Sequence, residues 1–131
     1  MDFAYPLTAL ATVFIALLTF IFSGIVGKLR VKHGLHAPAM NGNDEVERAI
    51  RVHANTIEQV AIFLPTLWVF AALVSDNYAL IAAAVWMAGR LLYSQGYMKD
   101  PSKRSMGFMI GFLAFAVTAI WSLVELFGAI F

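Results

Sequence analysis

The chain contains no cysteine. Disulfides, thiolate metal sites and a cysteine nucleophile are therefore excluded, and any thiol chemistry must use a thiol that a ligand brings. Charge is scarce: 13% of the 131 residues are Asp, Glu, Lys or Arg, against roughly 25% in soluble domains. The three histidines, His33, His36 and His53, show no HxxxH or HExxH spacing, so no metal site is expected. A net charge of +1 is too near balance to attract nucleic acid. What the chain has in excess is apolar surface, 61% of its residues, where soluble domains have roughly 45–50%. It reads as an all-α integral membrane protein with a single domain spanning residues 1–131.

A helix needs roughly 20 residues to cross the hydrocarbon of a bilayer. Four stretches fit: Pro6 to Val26, Glu58 to Val74, Tyr78 to Met98 and Met106 to Val124. The expectation is a four-helix transmembrane bundle. The first stretch carries Asp2 and no basic residue ahead of it, unlike a secretory signal, so it is expected to remain in the protein. All nine Lys and Arg residues fall on one side: eight in or beside the first and third connections, and Arg90 in the half of the third span nearer that side. The positive-inside rule then places both connections in the cytoplasm and both termini outside. The first loop, Lys28 to Asn43, holds Gly34, Pro38 and Asn-Gly-Asn at 41–43, which break helices and make turns. Asn43 or Asp44 is positioned to cap the next helix. From Asp44 to Val74 that helix is about 46 Å long at ~1.5 Å per residue, so it projects into the cytoplasm, with a kink expected at Pro65.

Two helical faces carry chemistry into this membrane. Arg48, Arg51, Asn55 and Glu58 are spaced 3, 4 and 3 apart, and Trp86, Arg90, Tyr93 and Tyr97 are spaced 4, 3 and 4 apart. Each set shares one side of a helix. Charges at membrane depth cost free energy unless something pairs with them, which makes them functional-site candidates. After Asp100-Pro101, Ser102 is the expected cap of the fourth helix, with Lys103, Arg104 and Ser105 in its first turn. A helix N-terminus and a guanidinium together attract an anion and favour the ionised form of a bound acid. A thiol, with an ordinary pKa near ~8.5, would become the nucleophilic thiolate there.

Structural readings stand beside these. Lys99, Lys103 and Arg104 can be topology anchors, and Tyr93 and Tyr97 an aromatic belt. Glu58 and Arg90 can be a buried pair that fixes helix packing. Arg48 and His53 can face water on the projecting helix. Anchoring does not explain why all of them cluster at one membrane face.

The run Glu47-Arg48-x-x-Arg51-x-His53-x-Asn55-x-x-Glu58, followed by Phe63-Leu64-Pro65, resembles the MAPEG proteins, the membrane-associated proteins of eicosanoid and glutathione metabolism. Arg90-Leu91-Leu92-Tyr93-Ser94-Gln95-Gly96-Tyr97 and Arg104-Ser105 resemble that family's third- and fourth-helix motifs. The likeness covers nearly the whole chain and is strongest to bacterial glutathione transferases of the microsomal type. It implies a homotrimer with glutathione bound between subunits at the cytoplasmic face of a bacterial inner membrane. It implies glutathione contacts at Arg30, Arg51, Asn55, Glu58, Tyr93 and Tyr97, and a thiolate-stabilising role for Arg104. Arg48, His53, Arg90 and Ser105 are further candidates. Arginines suit the two carboxylates of glutathione and a carboxylate such as Glu58 suits its ammonium. The branch that makes leukotrienes carries arginine, tyrosine and glutamine where this chain has Val31, Gln59 and His53. His53 instead matches the glutathione-transferase branch, and Arg104-Ser105 is similar to the pairing of the branch that makes prostaglandins.

The resemblance thus implies a transferase that activates glutathione and attacks apolar electrophiles arriving through the bilayer. Reduction of lipid hydroperoxides is a side activity, and glutathione is a cosubstrate with no metal. Two other readings remain open at this point. One is a non-catalytic protein that binds lipid or glutathione. The other is a small multidrug exporter, which shares the size and a membrane glutamate but needs no arginine stripe.

Overall fold

The computed structural model describes residues 3–131, and these form helices and short connections. Helix α1 spans Pro6–His33, α2 spans Asp44–Leu73, α3 spans Asp76–Lys99 and α4 spans Ser105–Ile130, with a 3-10 turn at Pro101–Arg104 before α4. Three helical segments are long and apolar enough to cross a membrane: α1, α2, and the turn plus α4. The fourth, α3, has the length, about 36 Å at ~1.5 Å per residue, but Arg90 and its tyrosines dilute its apolar run.

The boundaries depart from expectation where local chemistry decides them. Helix α1 does not stop at Val26 but runs on through Lys28, Arg30 and Lys32 to His33. Nothing between Gly27 and Gly34 breaks it, and basic residues suit a helix C-terminus. It ends at Gly34, whose φ of 64° is the left-handed conformation that glycine adopts without strain. The true first connection is therefore 34–43. Asn43 caps α2, its side chain accepting from the N–H groups of Glu45 and Val46, and α2 continues as one helix through Pro65. The fourth helix differs most. Ser102 is not its cap. Asp100 instead accepts the Ser102 N–H at 2.9 Å and opens the 3-10 turn, because Pro101 starts that turn with a fixed φ. The Ser102 N–H and then its hydroxyl hold the Asp100 carboxyl below the usual carboxylate range.

Helix α3 packs against α1, α2 and α4. In the core, Phe63 of α2 stacks on Trp86 of α3 with ring centroids 5.0 Å apart, beside Ile15, Leu67 and Phe70. Such an aromatic pair contributes ~0.5–1.5 kcal/mol beyond its buried area. Helices α3 and α4 touch backbone to backbone. A Cβ on Gly107 would lie 2.1 Å from the Tyr93 nitrogen, and one on Gly89 would lie 2.7 Å from the Gly111 nitrogen. The crossing exists only because these positions lack side chains, and it sets Tyr93 against the start of α4. At the same end, Lys32 and His33 of α1 meet Glu45 of α2, the lysine at 3.0 Å. The His33 contact and then the Lys32 contact hold the exposed Glu45 carboxyl below its usual range.

Candidate functional site

The charged face of α2 meets the tyrosine face of α3 and the first turn of α4 around a cavity of about 470 Å³. Its walls are Arg51, Asn55, Tyr93, Tyr97, Arg104, Ser105, Phe108 and Met109. That volume lies within the range of roughly 300–1,000 Å³ typical of small-molecule sites. Two guanidiniums, an amide, two phenols and a hydroxyl face a wall finished by Phe108 and Met109. No carboxylate lines it. The arrangement can hold an anion with acceptor groups and leave an apolar surface for a second, lipophilic reactant.

Arg104 is exposed at the mouth, with its guanidinium 5.7 Å from the centroid of the Tyr97 ring. The rings of Tyr93 and Tyr97 lie 5.6 Å apart between centroids, tilted by 40°, and these two of the four residues read as one helical face line the cavity, while Trp86 and Arg90 do not. Arg51 is exposed and Asn55 half-buried. Ser105 begins α4, and no side chain caps that helix. The helix follows directly from the 3-10 turn at Pro101–Arg104, so carbonyls of that turn stand in place to accept its first N–H groups.

The other candidates stand elsewhere. Arg30 lines no part of the cavity. Its Nη1 donates to the carbonyls of Ala39 at 2.6 Å and Leu35 at 3.3 Å, tying down the 34–43 connection. Arg48 donates to the carbonyls of Met98 and Lys99 at 3.2 and 3.1 Å. It satisfies the C-terminal end of α3, and it also walls a second cavity of about 310 Å³ with Asp44, Glu47, Arg51, Tyr97 and Pro101. His53 is half-buried outside both cavities. Glu58 is exposed and lies outside the main cavity.

The buried pair of Glu58 and Arg90 does not form. Glu58 faces outward from α2, and Arg90, 1% exposed, donates from Nη2 to Asn55 Oδ1 and Thr56 Oγ1, each at 3.0 Å. Asn55 Nδ2 in turn donates to Glu58 Oε2 at 3.3 Å. Thr56, Phe108 and Met109 were not singled out in the sequence. Phe108 lies one helical turn past Arg104, and Met109 one turn past Ser105, so the face of α4 that begins with those two residues carries the signal that finds them. Among the described residues no cluster of three or more His, Asp or Glu is placed to hold a metal.

These features define a helical membrane protein with a cationic, phenol-lined cavity at one end of its bundle. The chain belongs to the MAPEG family, whose model matches residues 8–124. It is similar to an uncharacterized protein of Synechocystis sp., 41% identical over 120 residues, covering 92% of this chain and 85% of that one. It is also similar to human microsomal glutathione S-transferase 2, 34% identical over 105 residues, covering 80% of this chain and 67% of that one. Leukotriene C4 synthase of Cavia porcellus is 32% identical over 120 residues, covering 92% and 77% respectively.

Proposed function

We propose that the protein is a membrane-bound glutathione transferase that binds glutathione in the 470 Å³ cavity and delivers its thiolate to an apolar, membrane-dissolved electrophile. The observation that carries the reading is the composition of that wall: Arg51 and Arg104 with hydroxyl and amide donors, no acid, and Phe108 and Met109 beside them. Glutathione brings two carboxylates and the thiol that this cysteine-free chain lacks. Arg51 and Asn55 bind and orient it. Arg104 and the positive end of the α4 dipole stabilise the negative sulfur, which is electrostatic catalysis by groups already in place. The names of the human and guinea-pig relatives support the same chemistry. Reduction of lipid hydroperoxides by the same thiolate is part of the proposal.

Arg51 is exposed in the cavity wall and Glu58 is exposed outside it, where the apolar span of α2 begins. Charges there, at membrane depth, call for a partner surface. This supports a homotrimer in which the neighbouring subunit completes the site, with Arg30 reaching it from that neighbour. The arrangement of Lys and Arg supports a cytoplasmic site and outward termini, so a reporter fused after Phe131 should give no cytoplasmic signal.

The direct test is titration of the detergent-purified protein with glutathione while thiolate absorbance is followed. A saturable thiolate signal at neutral pH, with turnover of an aryl halide, is expected. Saturable binding without thiolate or turnover would instead identify a non-catalytic binding protein.

A further inference from the structure

Arg90 is the least expected charge in the molecule. Its side chain is fully inside the bundle at 1% exposure. Among the described residues the only ion pairs involve Glu45, so no carboxylate answers it. Burying an unpaired guanidinium is costly, and such a group persists where the surroundings compensate it or the site requires it. The compensation is partial. Nη2 serves Asn55 and Thr56, the Tyr93 ring lies 4.1 Å from the guanidinium carbon, and Nε has no hydrogen-bond partner.

The consequence falls on Asn55. An arginine can only donate, so the Asn55 atom that meets it must be the carbonyl oxygen. The amide nitrogen is thereby turned the other way, toward Glu58. Arg90, which can only donate, and the Glu58 carboxylate, which can only accept, fix between them which end of the amide is which. Held so, Asn55 can offer the cavity the second hydrogen of its amide as a donor. The same guanidinium pins the Tyr93 ring from beneath and places a third positive charge behind a cavity already lined by Arg51 and Arg104.

We propose that Arg90 is a positioning residue for the site. It locks Asn55 so that the cavity presents a donor to an acceptor group of the ligand, a carboxylate or peptide carbonyl, and it steadies Glu58 through the same amide. This rests on the reading of the cavity as the glutathione site.

A double-mutant cycle in the detergent-purified full-length protein tests it. Glutathione affinity is measured by calorimetry for wild type, Arg90→Met, Asn55→Ala and the double variant, with folding followed by thermal unfolding. Arg90→Met is expected to weaken glutathione about tenfold, the scale of one lost hydrogen bond to a charged group. The double variant is expected to be no weaker than the worse single variant, because the two residues act as one unit. KM for glutathione should rise while KM for the electrophile stays unchanged, which a general loosening of the bundle would not produce. Arg90→Lys should restore part of the affinity, since it keeps a charged donor but loses the planar fork. Should Arg90→Met fail to fold, Arg90→Lys paired with Asn55→Ala carries the same cycle. Wild-type affinity in the Arg90 variants, or fold-losses that multiply in the double variant, would overturn the proposal. If wild type itself binds no glutathione, the reading of the cavity falls, and this inference with it.

Discussion

The carboxylate of Asp76, at the start of α3, takes both the backbone N–H and the hydroxyl of Thr8 in α1, at 2.8 and 2.6 Å. Its other oxygen accepts the Leu7 N–H at 3.0 Å. Helix α1 has no cap of its own: Tyr5 precedes it without a side-chain bond, and Pro6 opens it. A residue 68 positions away along the chain therefore caps it. The two helices are joined at the end of the bundle opposite the cavity, where Thr8 is completely buried.

Asp76→Asn should lower stability by about 1–2 kcal/mol, because a charged acceptor of several bonds is lost. Partial burial pushes the Asp76 carboxyl up, but the Thr8 hydroxyl and the Leu7 and Thr8 N–H groups together hold it below the usual range. A lowered folded pKa gives stability that is fully present above the ordinary carboxylate value of ~3.9 and is lost as pH falls through the lowered value. Thermal midpoints in detergent from neutral pH down to about pH 3 should show the gap between wild type and Asp76→Asn narrowing only below ~4. A gap that is constant across that range would remove the ionised cap.

Much of this architecture is legible in the sequence, because membrane helices announce themselves by length and apolarity. The 3- and 4-residue spacings of Arg51, Asn55, Tyr93 and Tyr97 place one wall each, and the structure brings those walls together. Four things resist such reading. The end of α1 at Gly34 rather than Val26 depends on charged residues that can sit in either a helix or a loop. The capping of the turn by Asp100 instead of Ser102 depends on which of the two good caps flanking Pro101 the proline favours. The partner of Arg90 depends on side-chain direction: Glu58 has the right charge, yet Asn55 and Thr56 have the right place. The docking of Arg48 on the end of α3 is likewise a long-range contact that no local pattern encodes.

Gly107→Ala should damage the site without touching a ligand. A methyl there meets the Tyr93 nitrogen at 2.1 Å and the Gly89 oxygen at 2.6 Å, both backbone atoms. Rigid backbone cannot yield as a side-chain end can, so α3 and α4 must separate. Overpacking of this kind costs typically ~1–3 kcal/mol. Tyr93 should move with α3 and glutathione binding should weaken together with the thermal midpoint. Gly128→Ala, where nothing lies within 4 Å of the added atom, is the control and should change neither.

Arg51→Ala and Glu58→Gln separate two kinds of contribution. Arg51 lines the cavity, whereas Glu58 reaches it through Asn55. In the single subunit Arg51→Ala should therefore be the more damaging to glutathione affinity, by about tenfold or more. Glu58→Gln keeps an acceptor for the Asn55 amide and loses only charge. If Glu58 meets the glutathione ammonium across a subunit boundary, its loss should rival that of Arg51. Calorimetry on both variants, with size-exclusion profiles to check assembly, distinguishes a relay within one subunit from a contact across two.

Arg104 should act on the thiol more than on binding. It stands beside Tyr97 at the start of α4, where its guanidinium and the positive end of the helix dipole act on the same point. Arg51 and Asn55 still line the cavity when it is removed. Arg104→Ala should thus cut turnover by about 10²–10³, the usual effect of deleting one preorganised electrostatic group. Glutathione affinity should fall less than in Arg51→Ala. The apparent pKa of the bound thiol should rise toward its free value of ~8.5, so the pH at which the rate plateaus should move upward. Arg104→Lys should recover part of the rate, because it supplies the charge but not the planar fork. A wild-type rate and pH profile in Arg104→Ala would leave Arg104 as a membrane anchor and assign the thiolate to Arg51 and the N-terminus of α4.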